Sequence, residues 1–193
     1  MAEEDDIAIH RSQAWIKTFV LGMGLCPFAK PAWDTGRIYY QLCMEDAPDK
    51  IIEAMLHLWE KILNHSQEEI ETAILILPAA LADFEAYLDM LEILNELLEE
   101  AELAGVLQIA SFHPDYQFEG ILPHAAENFT NRSPYPMFHI LREVSVSAAV
   151  RRHPNVEQVP ERNIQKMEQI GTKKIKALLK GIWDNPEGVL SAQ

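Results

Sequence analysis

The run Thr72-Ala-Ile-Leu-Ile-Leu-Pro78 decides the fold class of this chain. Residues 73–77 are all apolar, and Pro78 ends the run because proline lacks the N–H that a strand interior needs. A run this short and this apolar is typical of a strand that is covered on both faces, as in a parallel sheet.

The sequence on either side of this run predicts two further strands and five helices. Residues 37–44 alternate in the manner of a strand, and residues 106–112 form another. Helical periodicity predicts five helices. They cover residues 7–20, 49–65, 83–103, 136–153 and 160–182. Residues 25–36 are expected to be an irregular connection, and residues 113–133 a long ordered loop.

This order predicts an α/β fold with a small, mostly parallel sheet of about three strands, crossover helices and two C-terminal helices. We expect a single globular domain over residues 1–193, with a helical C-terminal extension at 160–193 as the alternative. Ligands of such sheets gather beyond the carboxyl ends of the strands. Only the third strand opens there into a long polar loop, so we expect the site at its end.

The charge distribution excludes two classes of partner. The chain has 30 Asp and Glu against 16 Lys and Arg, a net charge of −14. No Lys or Arg lies between Lys61 and Arg132, and 14 acidic residues fill that gap. A nucleic-acid binder or an anionic-membrane binder would need a basic surface, so we expect neither activity.

Further composition features indicate a cytoplasmic protein. The longest apolar uncharged stretch, residues 72–82, is much shorter than the ~20 residues that span a bilayer. The acidic start Glu3-Glu4-Asp5-Asp6 differs from a secretory signal. Two cysteines, Cys26 and Cys43, do not make a disulfide framework. The sequence assigns no cofactor and leaves the oligomeric state open.

The first candidate motif is Gly22-Met-Gly-Leu-Cys-Pro-Phe-Ala29. A Cys before Pro can place its sulfur at a helix N-terminus, where the dipole favours the reactive thiolate. However, Ala29 stands where a C-x-x-C motif has its second Cys. The interpretation of Cys26 as a buried small hydrophobe is therefore preferred over that of a nucleophile.

The second candidate motif is Ser111-Phe-His-Pro-Asp-Tyr-Gln-Phe118, at the end of the third strand. A carboxylate of Asp115 near the His113 imidazole would fix its tautomer, as in an acid/base pair or half a metal site. The alternative is structural: Asp115 caps a turn and His113 binds backbone groups.

The third candidate motif covers residues 128–143 and is rich in Asn, Arg, Ser and Tyr. Prolines after Ser133 predict a helix start, and Arg132 beside free helical N–H groups would bind a carboxylate or phosphate. In that helix His139 and Glu143 would share a face. The alternative is a surface ion contact beside a polar loop that satisfies its own backbone.

Together, the second and third motifs supply two imidazoles and two carboxylates. His113, Asp115, His139 and Glu143 are a candidate set of ligands for Zn²⁺, Mn²⁺ or Fe²⁺. Their spacings, H-x-D and H-x-x-x-E, are common by chance.

At these motifs the chain resembles a mainly bacterial family known as domain of unknown function number fourteen-fifteen. The matching segments are LCPFAK (25–30), QIASFHPDYQF (108–118), TNRSPYPM (130–137) with His139 and LRE (141–143), and PERNI (160–164). The chain departs from the family at Gly24, where Asn is usual, and at Phe129, where Tyr is usual. The resemblance implies no known activity. It implies that one site is shared by Cys26, His113, Asp115, Asn131, Arg132, His139 and Arg142.

Three functions remain open from the sequence. The first is a small enzyme acting on a small anionic metabolite. Its catalytic candidates are His113, Asp115 and Cys26, and its substrate-binding candidates are Tyr116, Asn131, Arg132, Ser133, His139 and Arg142. The second is a metal-binding protein that uses the four ligands above. The third is a non-enzymatic interaction protein whose acidic helix, residues 83–102, binds a basic partner.

Overall fold

A computed structural model describes residues 2–153 and 155–192, with side chains described from residue 6 onward. Met1, Pro154 and Gln193, which the predicted domain includes, lie outside the described residues. Within the described ranges, no helix is both long enough and apolar enough to cross a membrane.

One four-stranded mixed sheet forms the centre of the molecule. Its strands are β1 (Ile38–Leu42), β2 (Thr72–Ile76), β3 (Leu107–Phe112) and β4 (Met137–Arg142), in the order β1-β2-β4-β3. β1 pairs with β2 in parallel, and β4 pairs antiparallel with both β2 and β3. All five residues of β2 are buried, as its unbroken apolar run predicts.

Eight α-helices surround the sheet in the described ranges. They are α1 (Ala2–Trp15), α2 (Ala29–Asp34), α3 (Pro48–Leu63), α4 (Phe84–Glu100), α5 (Glu143–Arg152), α6 (Val159–Ile170), α7 (Thr172–Asp184) and α8 (Pro186–Ser191). A π-helical segment, Ile16–Leu21, continues α1, and short 3₁₀ turns cover Ala126–Thr130 and Val156–Gln158.

The two faces of the sheet carry separate apolar cores. One core packs α3 and α4 against strand residues such as Leu75 and Phe138. The other packs α1, α6, α7 and α8 against residues such as Ile76 and Met137. Neighbouring residues of β4 therefore enter opposite cores, which is the period-two pattern of a strand.

The prediction of a helix over residues 136–153 is wrong in its first half. Residues 137–142 form β4, and only Glu143–Arg152 is helical. The spacing of apolar residues in this segment also fits a helix. However, the segment lies between β2 and β3, where a strand forms backbone hydrogen bonds with both of them.

The predicted mostly parallel three-stranded sheet is corrected for the same reason. β1, β2 and β3 do run in one direction, because β2 and β3 are each antiparallel to β4. With β4 inserted between two of them, only one of the three pairings is parallel.

Two further segments differ from prediction. The expected irregular connection at residues 25–36 contains α2. The single helix expected at residues 160–182 is divided into α6 and α7 at Gly171, whose φ of 79° is left-handed. Glycine adopts this conformation without a steric cost, so the chain can turn there.

Candidate functional site

His113 begins the long loop at the carboxyl end of β3. Its side chain is buried, and its ring packs against Phe84 and Tyr87 with centroid distances of 5.1 Å to each. Nε2 donates to the Leu81 carbonyl at 2.9 Å, and Nδ1 accepts from the Asp115 backbone N–H at 3.0 Å. Both ring nitrogens are therefore occupied by backbone groups.

The protonation state of His113 follows from these contacts. Burial lowers the pKa of His113 below its ordinary value, and the Leu81 carbonyl and the carboxylates of Asp115 and Asp83 oppose that shift. A second proton on Nδ1 would also remove the hydrogen bond from Asp115. The imidazole is neutral at pH 7 and holds the loop in place.

The backbone of His113 ties together the two ends of the loop. Its N–H donates to the Asn131 carbonyl at 3.2 Å, and its carbonyl accepts from the N–H groups of Tyr116 (3.1 Å) and Ser133 (3.4 Å). This residue therefore sets the position of Arg132, between Asn131 and Ser133.

Arg132 has a guanidinium group that is held in one orientation. Nε donates to the Tyr116 carbonyl at 3.0 Å, Nη2 donates to the Pro123 carbonyl at 2.7 Å, and the group lies 4.6 Å from the ring centroid of Phe129. Burial lowers the pKa of Arg132, and the Asp115 carboxylate opposes that shift. Nη1 makes no hydrogen bond within the described residues.

Asp115 and Tyr116 complete this end of the sheet. Asp115 is exposed, and its carboxylate forms no ion pair with any residue of the described ranges. The Tyr116 ring packs against Phe84 and Phe118, and its hydroxyl accepts a long bond of 3.5 Å from Ser111.

The amide and hydroxyl side chains of the third motif mostly bind backbone groups. Asn131 Nδ2 donates to the Ser111 carbonyl at 3.2 Å, and Ser133 Oγ donates to the Tyr135 carbonyl at 2.6 Å. Asn128 is fully buried and holds the loop through Phe118 N–H and the Leu122 carbonyl. The sequence interpretation missed the role of Asn128 because nothing in its local pattern separates it from Asn131.

Tyr87 and Leu81 are two further supports that the sequence interpretation missed. The Tyr87 hydroxyl donates to the Met137 carbonyl at 2.8 Å and accepts from the Phe112 N–H at 3.0 Å. Leu81 reaches His113 from a left-handed conformation with φ of 54°. Tyr87 lies three residues after Phe84 on the apolar stripe of α4, and that position is its only sequence signal.

Cys26 lies three residues before the six-residue helix α2. Burial raises the pKa of the Cys26 thiol, and the N–H groups of Phe28 and Ala29 only partly oppose this. No hydrogen bond in the described ranges joins Cys26 to another predicted site residue. Instead, Asn163 of α6 donates to the carbonyl of Leu25 at 2.7 Å, which connects the first and last family motifs.

His139 lies on the face of β4 that meets the α1 layer. The Thr72 hydroxyl donates to the Ile140 carbonyl at 2.6 Å, so it accepts from His139 Nε2, also at 2.6 Å. Burial lowers the pKa of His139 to about 4. This imidazole is therefore neutral over the physiological range.

Arg142 points to the opposite face of β4 and lies at the far end of the sheet. Its guanidinium donates to the carbonyls of Ile62, His65 and Ile70 and so closes the end of α3. It is paired with Leu107, the first residue of β3, about 20 Å along the strand from His113 at ~3.4 Å per residue. The structure thus gathers His113, Asp115, Tyr116, Asn131, Arg132 and Ser133, and places His139 and Arg142 elsewhere on the sheet.

The four candidate metal ligands are not brought together. His139 and Glu143 do not share a helical face, because the first is on β4 and the second begins α5. Among the described residues, no group of three or more His, Cys, Asp or Glu side chains has a geometry that could hold a metal ion.

Comparison with known proteins identifies the family. A family model described as "Protein of unknown function (DUF1415)" matches residues 7–177. Searches among curated proteins and among solved structures return no match. The family match covers most of the chain and confirms the resemblance found in the motifs. The chain therefore belongs to the DUF1415 family of proteins of unknown function.

Proposed function

We propose that this protein is a small enzyme that acts on a small anionic metabolite, a carboxylate or a phosphate, at the carboxyl end of β3. The observation that carries the proposal is the geometry of Arg132. Two carbonyls and one aromatic ring hold its guanidinium, while Nη1 stays unbonded within the described residues. A guanidinium fixed in this way loses little further side-chain entropy when it binds an anion.

Asp115 supplies the proton-transfer group in this proposal. Its carboxylate is exposed and sits in the same loop, close enough to Arg132 to affect the pKa of that residue. A carboxylate beside a bound anion can accept or donate a proton at the substrate. His113 is then a positioning residue, because both of its ring nitrogens are already bonded to backbone groups.

Cys26, His139 and Arg142 have no part in this form of the proposal. Arg142 already satisfies three carbonyls near the end of α3, and the Cys26 pKa is raised rather than lowered. A thiol with a raised pKa is a weak nucleophile at neutral pH.

The test is anion binding measured by calorimetry with a panel of small carboxylates and phosphates. We expect at least one anion to bind the wild-type chain, and Arg132→Lys to weaken its binding at least tenfold because Lys lacks the planar fork. Asp115→Asn should keep binding, since the carboxylate holds none of the Arg132 hydrogen bonds. That variant should lose turnover of the same anion.

Arg151→Lys is the matched control, because Arg151 is an exposed arginine of α5, a helix that begins at the end of β4 opposite to this loop. It should leave anion binding unchanged. Equal binding by wild type and Arg132→Lys, with both folded by circular dichroism, would contradict the proposal.

A further inference from the structure

α3 and α4 lie side by side on one face of the sheet, and several large apolar side chains between them are exposed to solvent. Leu56 and Leu63 on α3 are 46% and 42% exposed, and Ile93 on α4 is 40% exposed. We call the space bounded by Leu56, Leu63, Ile93 and the half-buried Leu97 the α3–α4 furrow. A patch of this kind is typical of an interaction site.

The contacts of α3 show which of its flanks borders the furrow. Lys61 Nζ lies 5.3 Å from the ring centroid of Tyr39, and the Ala54 carbonyl accepts from Gln41. Both partners are on the edge strand β1. At 100° per residue, Leu56 and Leu63 lie between 140° and 200° around the helix from Lys61 and Ala54, so they face away from β1 and toward α4.

The contacts of α4 place its side of the furrow in the same way. The Phe84 ring packs on His113 and Tyr116, which follow the other edge strand, β3. Ile93 and Leu97 lie about 180° and 220° around the helix from Phe84. They therefore face α3.

The rim of the furrow is acidic. Glu60, Asp89, Glu96 and Glu100 are exposed on the outer surfaces of the two helices, and none of them pairs with a cation among the described residues. α4 contains no Lys or Arg, and Lys61 of α3 lies on the β1 flank. Glu100 also stands at the C-terminal end of α4, where the helix dipole disfavours a negative charge.

We propose that the α3–α4 furrow binds a basic amphipathic helix of a partner protein. Leu56 and Leu63 are about 10.5 Å apart along α3, which matches apolar anchors at positions i and i+7 of a docked helix. Lys or Arg residues beside those anchors would meet the acidic rim on either side. The proposal is independent of the anion site at the end of β3.

Neither α7 nor a second furrow has the chemistry required of the bound helix. The basic helix α7 buries Ile175 and Ile182 in the core on the opposite face of the sheet, so its apolar stripe is already occupied. Two copies that met furrow to furrow would bring acidic rims together, which costs free energy.

The test uses a designed 18-residue peptide of Leu and Lys in amphipathic helical order, with a scrambled peptide of the same composition. Binding to the full chain is measured by calorimetry at 0.15 M salt. We expect saturable one-to-one binding of the amphipathic peptide and at least tenfold weaker binding of the scrambled one.

Two sets of variants locate the binding surface. The double variant Leu56→Ser/Leu63→Ser should weaken binding at least tenfold, whereas Val144→Ser/Val150→Ser, at two exposed apolar positions of α5, should not. The double variant Glu60→Gln/Glu96→Gln should weaken binding and reduce its salt dependence. The matched exposed pair Glu157→Gln/Glu168→Gln should leave both unchanged.

Three results would overturn the proposal. They are no saturable binding of the amphipathic peptide, equal losses in furrow and control variants, and a chain that is dimeric alone but becomes monomeric in the Leu56→Ser/Leu63→Ser variant. The last result would assign the furrow to a second copy. Because all four apolar and acidic target residues are exposed, the variants should fold, which a thermal melt will verify.

Discussion

Tyr87 shows how one side chain supports the candidate site. Its ring stacks on Phe138 with a centroid distance of 4.8 Å, and its hydroxyl joins α4 to β3 and β4 through Phe112 and Met137. Burial raises the pKa of the Tyr87 hydroxyl, so this group stays protonated and can donate. The start of the His113 loop therefore depends on a residue of the preceding helix.

Tyr87→Phe should lower the free energy of unfolding by about 1–3 kcal/mol, because it leaves a buried carbonyl and a half-buried N–H without a partner. Urea denaturation measures the change. Tyr116→Phe is the matched control and should have little effect, since its hydroxyl accepts only a 3.5 Å bond. Equal losses in the two variants would contradict this role of Tyr87.

His139 should make stability depend on pH. Its pKa of about 4 in the folded chain is below its ordinary value of ~6.5 in the unfolded chain. The unfolded state thus binds the additional proton, and stability that is fully present above pH ~6.5 is lost as pH falls toward 4.

This loss should approach about 1.4 kcal/mol per pH unit between those limits, in addition to a loss of the same sign from His113. Denaturation at pH 7, 6 and 5 measures the slope. His139→Asn retains an N–H donor toward Thr72 but does not titrate. It should therefore reduce the slope of stability against pH by about 1.4 kcal/mol per pH unit, which corresponds to one proton. An unchanged slope would show that His139 does not titrate in this way.

At the scale of elements, two glycines test how backbone conformation affects stability. Gly171 lies between α6 and α7, and Gly181 lies inside α7. Gly171 has φ of 79°, so Gly171→Ala should destabilise the chain by about 1 kcal/mol. Gly181 lies inside α7, and a Cβ there would meet no atom within 4 Å. Gly181→Ala should therefore stabilise the chain by about 0.5–1 kcal/mol.

Thermal melts of the two variants provide the comparison, with each substitution as the other's control. Effects of the same sign would mean that backbone conformation does not control stability at these positions.

At the scale of the whole molecule, α6, α7 and α8 complete one of the two cores. Met167, Ile175 and Ile182 are buried against α1 and the sheet. A chain that ends at residue 158 should therefore expose Trp15 and lose cooperative unfolding, because α6, α7 and α8, which cover that face together with α1, are removed.

Near-UV circular dichroism and urea denaturation measure this outcome. A chain that lacks only residues 186–193 is the control, and it should remain folded with reduced stability. Cooperative unfolding of the shorter chain would support the alternative prediction of a helical extension at residues 160–193.

Most elements could be predicted from sequence because their apolar periodicity is local. β2 is unbroken and apolar, and α3 and α4 have clear stripes, so each was predicted within a few residues of its bounds. β4 could not be recognised, because its apolar residues also fit a helix. Only pairing with β2 and β3 selects the strand.

The candidate site, like the fold, could be predicted from the sequence only in part. Sequence alone determined the family, the buried strand β2, and the loop at the end of β3 where six of the predicted residues lie together. The tertiary structure decided that His139 and Arg142 lie on opposite faces of the sheet, because side chains alternate along β4. It also brought Leu81 and Tyr87 to the loop, through hydrogen bonds between residues that are distant in the chain and leave no local pattern.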